Sequence, residues 1–343
     1  MPYPGLWTLL FAVTALFNLL PNPLSVLTVS CPALLYVVPV AVYTHFREWR
    51  RAAGLIAGAP LAALAGCGLL IAAMPGRGDA NSVQLSTAQI AGMVAMTSAN
   101  AVVVAALGLP IGVGTGRGWS YGRVVAAAAA AVTAVVGTYL ALCWDAFNRI
   151  IDSMIALFVE QLNTNAANLD REIVDRQLES IRWFGQNKFA FVVGVEFAVY
   201  LALTCAFVSI TAIVLRRRFA DPGPVGAFRD MHPPDWLVWV GIVTALAWFV
   251  DREYGGFELR FVTWNVAVGL SSIYFLNGCA IFLYGLQVLA PSLFLIAMLV
   301  VVFLMSGLYP ALSFIGLFDT WANFRMRMDR LAEAIRNAQS GES

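Results

Sequence analysis

Hydrophobic residues in this chain run in long blocks, parted by short breaks that carry proline, glycine or arginine. An apolar helix needs about 20 residues to cross the hydrocarbon of a bilayer, with about 17–25 a workable range. The blocks that approach this length are 5–20, 24–44, 52–74, 86–109, 123–145, 188–214, 236–250, 262–288 and 291–317. The first is short and is parted from the second only by Pro21-Asn22-Pro23. The seventh is also short and carries Trp236, Trp239 and Trp248 near its ends. Either reads as a half-helix or an interfacial helix. The predicted architecture is therefore all-α, a polytopic integral membrane helical bundle of about eight, or nine, transmembrane helices.

Arginine placement orients these spans, because short cytoplasmic loops collect Lys and Arg. Arg47, Arg50 and Arg51 are separated from Arg216, Arg217 and Arg218 by four predicted crossings, so both clusters belong on the cytoplasmic side. The tail, with Arg325, Arg327, Arg330 and Arg336, also reads as cytoplasmic. Nine full crossings would place the tail opposite Arg216, Arg217 and Arg218. One short segment in the last third is therefore expected not to cross, which leaves eight. The N-terminus has no Lys or Arg before its apolar stretch and no clear cleavage site, so 5–20 is kept as the first membrane helix rather than a signal peptide.

One region departs from this pattern. Over 147–184 the apolar positions Phe147, Ile151, Met154, Phe158, Leu162, Leu169, Ile173, Ile181 and Phe184 recur at threes and fours, the spacing of an amphipathic helix. The other face carries Asp152, Glu160, Asp170, Asp175 and Glu179 beside Arg149, Arg171, Arg176 and Arg182. Residues 161–168 are polar and Asn-rich, and are expected to turn between two helical halves. The segment reads either as a solvated connector resting on the bilayer surface or as an element that docks a partner or acts as a lid. The chain thus divides into N-terminal membrane helices (1–145), an amphipathic extracytoplasmic segment (146–187), C-terminal membrane helices (188–320) and a basic cytoplasmic tail (321–343).

Composition agrees with the pattern: 60% of residues are hydrophobic and only 12% charged, where a soluble domain carries about 25% charged residues. The formal net charge of +1 offers nothing to a nucleic acid. Cys31, Cys67, Cys143, Cys205 and Cys279 all fall in apolar runs without metal or redox spacing, so no cofactor or metal is expected. Small residues four apart let helices approach closely in lipid. They occur in 126–131 with Ala134 and Thr138, and in the series Gly54, Gly58, Ala62 and Gly66. Both faces are expected to pack within the monomer, with a partner helix as the other use.

The stretch 108–122 contains Gly112, Gly114, Gly116 and Gly118, but the flanks are membrane helices rather than a βαβ unit, and no Gly-Lys-Ser/Thr loop occurs. It is expected to be a flexible cytoplasmic connector. Any energy input would then come from a partner or an ion gradient. Among groups inside spans, Glu196 is the clearest candidate, since a central charge costs roughly 2.5–3.5 kcal/mol and so tends to face the bundle interior. It either lines a solute or proton path or is a protonated carboxyl bonded to a neighbour. Asp145 and Asp319 sit at span ends, where solvation at the interface is expected. The eighth block is the most polar, with Asn265, Ser271, Ser272, Tyr274, Asn277, Tyr284 and Gln287. Tyr274, Asn277, Gly278, Tyr284 and Gly285 share a face at helical periodicity. Such a face suits either a small-molecule pocket or hydrogen-bonded helix packing, and Thr97, Ser98 and Asn100 could oppose it. No Ser/His/Asp set, paired intramembrane carboxylates or intramembrane histidine is present, so the chain is not expected to be an enzyme.

The series Pro233-Pro234-Asp235-Trp236, Asn265, Tyr284-Gly285-Leu286, Gly316, Asp319 and Asn323-Phe324-Arg325 resembles the YybS-like family of bacterial membrane proteins, a family without assigned function. Pro39 before the first arginine cluster and the glycine-rich third block are compatible with it. That family is distantly similar to the substrate-binding S components of energy-coupling factor vitamin transporters, helical bundles that rely on separate coupling and ATPase subunits. The resemblance implies a multi-pass bacterial inner-membrane protein that binds or helps transport a small solute without its own ATPase, and the polar face of the eighth block with Glu196 nearby supplies the site candidates Glu196, Asn265, Tyr274, Asn277, Tyr284 and Gln287. The alternative is a structural or assembly subunit of an envelope complex, docking a membrane protein partner through 147–184.

Overall fold

The computed structural model describes residues 31–73, 87–165, 171–188, 192–254, 259–289 and 309–341. The predicted first block, 5–20, and most of the last, 291–317, lie outside these residues. A 3-10 turn, Cys31–Tyr36, leads into eleven described α-helices. These are α1 Val37–His45, α2 Trp49–Ala73, α3 Thr87–Gly116, α4 Tyr121–Leu142, α5 Trp144–Asn165, α6 Arg171–Asn187, α7 Val192–Phe219, α8 Leu237–Tyr254, α9 Arg260–Leu289, α10 Tyr309–Ala322 and α11 Phe324–Gly341. Helices prevail because lipid offers no partner to a backbone N–H or C=O, and a helix satisfies both internally. Among the described residues three helices are long and apolar enough to cross a membrane: Tyr121–Leu142, Val192–Phe219 and Arg260–Leu286.

The chain forms two compact units. The first comprises Met1–Phe147 and Thr204–Val225, the second Asn148–Leu203 and Gly226–Ser343. In the first unit α1 lies directly on α3. Gly108, Gly112 and Gly116 recur every fourth residue of α3 and form a groove for the α1 backbone. A Cβ added at Gly108 would lie 2.7 Å from Val40 Cγ1 and 3.2 Å from the Val37 carbonyl oxygen. One at Gly112 would lie 2.5 Å from Thr44 Cβ, and one at Gly116 3.0 Å from the His45 carbonyl oxygen. The expectation of a flexible connector over 108–122 is thereby corrected. The glycines up to Gly116 belong to α3, with Pro110 inside it. Each glycine costs roughly 1 kcal/mol of helix propensity, and close backbone contact offsets that in a setting without a hydrophobic push.

The alanine-rich α4 also departs from expectation. Its buried face is Val124, Val125, Ala128, Ala129 and Val132, whereas Ala126, Ala130, Ala134 and Thr138 are exposed rather than packed within the unit. Branched side chains bury more area per turn than alanine, so the valines take the inner face. In α2, Gly58 meets the Tyr36 ring, at 3.8 Å. Ala62 and Gly66 are among the side chains outside the description.

In the second unit the amphipathic segment forms the pair α5 and α6. Positions 161–165, expected to turn, continue α5 as helix, and 166–170 lie outside the described residues. Lys188, buried at the end of the pair, donates to Asp152 Oδ1 at 2.5 Å, and Val174 is buried between the polar positions of α6. Further on, α9 crosses α10 through Gly278 and Gly316. A Cβ at Gly278 would overlap the Leu312 carbonyl, and one at Gly316 would lie 2.7 Å from the Gly278 amide nitrogen.

Candidate functional site

The polar side chains of α9 separate into three groups. Asn265 serves helix ends: its Oδ1 accepts from the Gly194 N–H at 2.7 Å, one of the orphan donors in the first turn of α7, and its Nδ2 donates to the Phe261 carbonyl at 2.7 Å. Glu196 lies two residues beyond Gly194, about 200° around the helix, so it does not share the Asn265 contact. Its Oε2 is buried without a hydrogen-bond partner among the described residues, and no hydrogen bond or ion pair joins it to Tyr274 or Asn277 there. Tyr284, near the end of α9, donates its hydroxyl to Asp329 on α11, while Met328 fills the space beside Gly285. Gln287 belongs to α9, but its side chain lies outside the description, as do those of Thr97, Ser98 and Asn100.

The third group is built around Asn277, which is fully buried. Its Nδ2 donates to the Gly316 carbonyl at 2.9 Å, across the α9–α10 crossing. Its Oδ1 accepts from Arg325 Nη2 at 3.0 Å, and the same nitrogen donates to the Met231 carbonyl at 2.7 Å. Arg325 Nη1 lies 3.6 Å from Asp319 Oδ2. Asp319 is not solvated at an interface as expected: its side chain is 3% exposed. A guanidinium partner and a helix start make that burial tolerable. Asp319 Oδ1 accepts from the Phe324 N–H at 2.8 Å, the first residue of α11, after Asn323 turns the chain with a left-handed φ of 48°. Burial pushes the Arg325 guanidinium below its usual value, and the Asp319 charge opposes that push.

This group opens to solvent on one side. His232, 44% exposed, places Nδ1 3.6 Å from Asp319 Oδ2 and Nε2 3.5 Å from Asp235 Oδ1. Asp235 is 77% exposed. Tyr274 is buried one turn before Asn277, with its carbonyl against Gly316. Its hydroxyl is buried without a hydrogen-bond partner among the described residues, as is Arg325 Nε, and it lies close enough to Asp235 to feel that carboxylate's charge. Two predicted residues, Tyr274 and Asn277, are thus brought together with four others: His232, Asp235, Asp319 and Arg325. Three of those four had appeared only as fragments of a resemblance or as an isolated charge. The signal was present in the doublet Asp319 and Arg325 around a turn-forming Asn323, since a charge pair at the end of an apolar block needs a reason to stay there.

A polar chain in the first unit was not predicted at all. His45 Nδ1 and Thr115 Oγ1 are 3.1 Å apart, and His45 Nε2 and Asp221 Oδ2 are 3.1 Å apart. The order Thr/His/Asp resembles a nucleophilic triad, but the Thr115 hydroxyl is buried and bonds the Ile111 and Gly112 carbonyls of its own helix. The chain therefore ties α1, α3 and the loop after α7 together. The Gly223 N–H, and then His45, hold the Asp221 carboxyl below the usual carboxylate range, against desolvation. An open groove of about 500 Å³ lies along the α5–α6 pair, between Phe158, Leu162, Arg176, Gln177, Ser180 and Ile181.

No curated protein and no solved structure matches the chain. Over residues 69–320, which include all three membrane-length apolar helices, the chain belongs to the predicted membrane protein family DUF2232.

Proposed function

We propose that the chain is a multi-pass protein of the bacterial inner membrane that binds a small polar solute, in the manner of an S component served by separate energising subunits. The observation that carries this reading is the Tyr274 hydroxyl and Arg325 Nε, two buried donors without hydrogen-bond partners among the described residues, beside a carboxylate–guanidinium pair that His232 and Asp235 border. A buried donor left unpaired costs about 1–3 kcal/mol, so the arrangement favours an occupant with acceptor oxygens, such as a carboxylate or carbonyl. The Arg325 bond to the Met231 carbonyl places the start of α11 beside the loop before α8. That contact supports an even number of crossings between them, and with it eight spans rather than nine and a cytoplasmic mouth.

The test is a thermal-shift screen of the purified full chain against small polar acids and amides, repeated on Tyr274→Phe and Arg325→Gln. A solute that stabilises the parent but neither variant supports the site. If no solute stabilises the parent, or the variants respond equally, the reading fails.

A second reading, as a structural subunit of an envelope complex, draws on the exposed Leu157, Phe158 and Trp183 of the α5–α6 pair. Deleting 147–184 would then abolish complex formation and leave membrane insertion intact.

A further inference from the structure

Four contacts gather three arginine-bearing segments of the first unit at the ends of its helices. His45 at the end of α1 meets Thr115 near the end of α3 and Asp221 after α7, each at 3.1 Å. Phe46 packs on Phe219, the last residue of α7, with ring centroids 4.8 Å apart. An isolated parallel β-bridge pairs Ser120 with Val225. The rim so formed carries Arg47, Arg50, Arg51, Arg117, Arg123, Arg216, Arg217 and Arg218 against only two carboxylates, Glu48 and Asp221. Both carboxylates are engaged: Glu48 by Arg51 at 2.5 Å, and Asp221 by His45 and the Gly223 N–H. Among the described residues no carboxylate pairs with the other seven arginines, all of which are exposed.

From this rim we infer a binding site for the headgroup of an anionic phospholipid. Three observations point to lipid rather than to a soluble anion. The segments sit at the ends of α4 and α7, two of the membrane-length helices, which is the depth of the headgroups. Exposed aromatic residues alternate with the arginines: Phe46 is 40% exposed, Trp49 52% and Phe219 49%. Trp49 is of the type that favours the boundary between headgroup and acyl chain, and a water-soluble anion gives none of these exposed rings an apolar surface to bury against. Finally, the Trp119 ring holds two guanidinium groups, Arg123 at 4.9 Å and Arg117 at 5.9 Å. Guanidinium groups stacked in this way keep their planar donors free for paired bonds to phosphate oxygens. The turn that presents them depends on Gly118, whose φ is +66°. Clustered basic side chains at the ends of membrane helices bind the headgroups of anionic lipids.

The full chain, reconstituted with equal phosphatidylglycerol and phosphatidylcholine and released for native mass spectrometry, tests the site. Phosphatidylglycerol should be retained in preference, and the double variant Arg117→Gln with Arg123→Gln should cut that preference by about thirtyfold, as expected for two arginines at a charged surface. Arg252→Gln, which removes a comparable Arg–Trp stack on α8 (5.4 Å), should leave it unchanged. Arg217→Gln with Arg218→Gln, at an exposed helix end, gives a second reading should the first pair disturb folding. Equal retention of the two lipids by the parent, or an unchanged preference in both double variants, overturns the inference. So does loss of the preference in excess inorganic phosphate, which would make this a free-anion site. Recovery of the chain from its own membranes with an acidic protein over the rim and no retained lipid would overturn it as well.

Discussion

Replacing Gly278 by alanine should destabilise the protein, although alanine is the better helix former. The ideal Cβ at this position lies 2.7 Å from the Leu312 carbonyl carbon and 3.1 Å from Leu312 Cα, and it overlaps the carbonyl oxygen. Every one of these neighbours is backbone, so no rotamer change can relieve the overlap and α9 must move away from α10. That movement stretches the bond from Asn277 Nδ2 to the Gly316 carbonyl, now 2.9 Å, and opens the approach of Gly316 to the Gly278 amide. Overpacking costs about 1–3 kcal/mol and a weakened buried hydrogen bond about 1 kcal/mol more. Alanine returns about 1 kcal/mol of helix propensity. A net loss of about 1–3 kcal/mol remains, or roughly 2–12 °C in thermal midpoint at about 2–4 °C per kcal/mol. Circular dichroism of the detergent-solubilised chain during heating measures it. Gly137→Ala is the matched control, because a Cβ there meets nothing within 4 Å among the described residues, and its midpoint should hold or rise slightly. A Gly278→Ala midpoint equal to the parent's, or an equal loss in Gly137→Ala, would show that the crossing is not as close as described.

Removing Asn277 and Arg325 singly and together should give a coupling energy of about 1–3 kcal/mol in a double-mutant cycle; additive losses would separate the two residues. Arg325→Lys should not restore stability, since one ammonium cannot reproduce the fork that reaches Met231, Asn277 and Asp319. Asp221 has a folded-state pKa below its unfolded value, so its contribution is present above the unfolded value of about 3.9 and is lost as pH falls through the folded one. Asp221→Asn should therefore flatten the acid limb of a stability–pH profile, and an unchanged limb would assign that limb to other carboxylates. Asp152→Asn should loosen the α5–α6 pair more than Lys188→Met does, measured by hydrogen exchange, because it strands a buried ammonium whereas the reverse leaves a carboxylate that is 60% exposed. Equal exchange in the two would contradict the burial of Lys188. Cysteines placed singly at Asp235 and Arg327 should react with an impermeant maleimide from the same side of the membrane, and labelling from opposite sides would refute the even number of crossings.

The membrane-bundle class was legible in the chain because it depends on the number of apolar residues in a row and on very little else. The amphipathic pair was legible for a similar reason, its period being local, although the end of α5 was not: asparagines at 163 and 165 favour turns yet remain helical here. Glycine misled more. In 112–118 it reads as a loop by local rules, and only the α1 backbone lying against Gly108, Gly112 and Gly116 shows why the helix continues. The alanine series in α4 misled in the other direction, since a small-residue stripe has no address until its neighbours are known.

Site chemistry was legible only in part for a related reason. Tyr274 and Asn277 stand out because polar groups in an apolar block are costly wherever they point. Asp319, Arg325 and His232 stand at block ends, where solvent would serve them equally well, and nothing local distinguishes a solvated charge from a buried pair. By itself the sequence determined the solvent, the helical state and the short list of polar residues that needed explaining, because each follows from the transfer energy of single side chains and from periodicity along one helix. Only the tertiary structure decided which polar groups meet, that glycines close α1 on α3 and α9 on α10, and that arginines from three segments of the first unit share one rim, because these contacts join residues far apart in the chain and depend on backbone distances of a few tenths of an ångström.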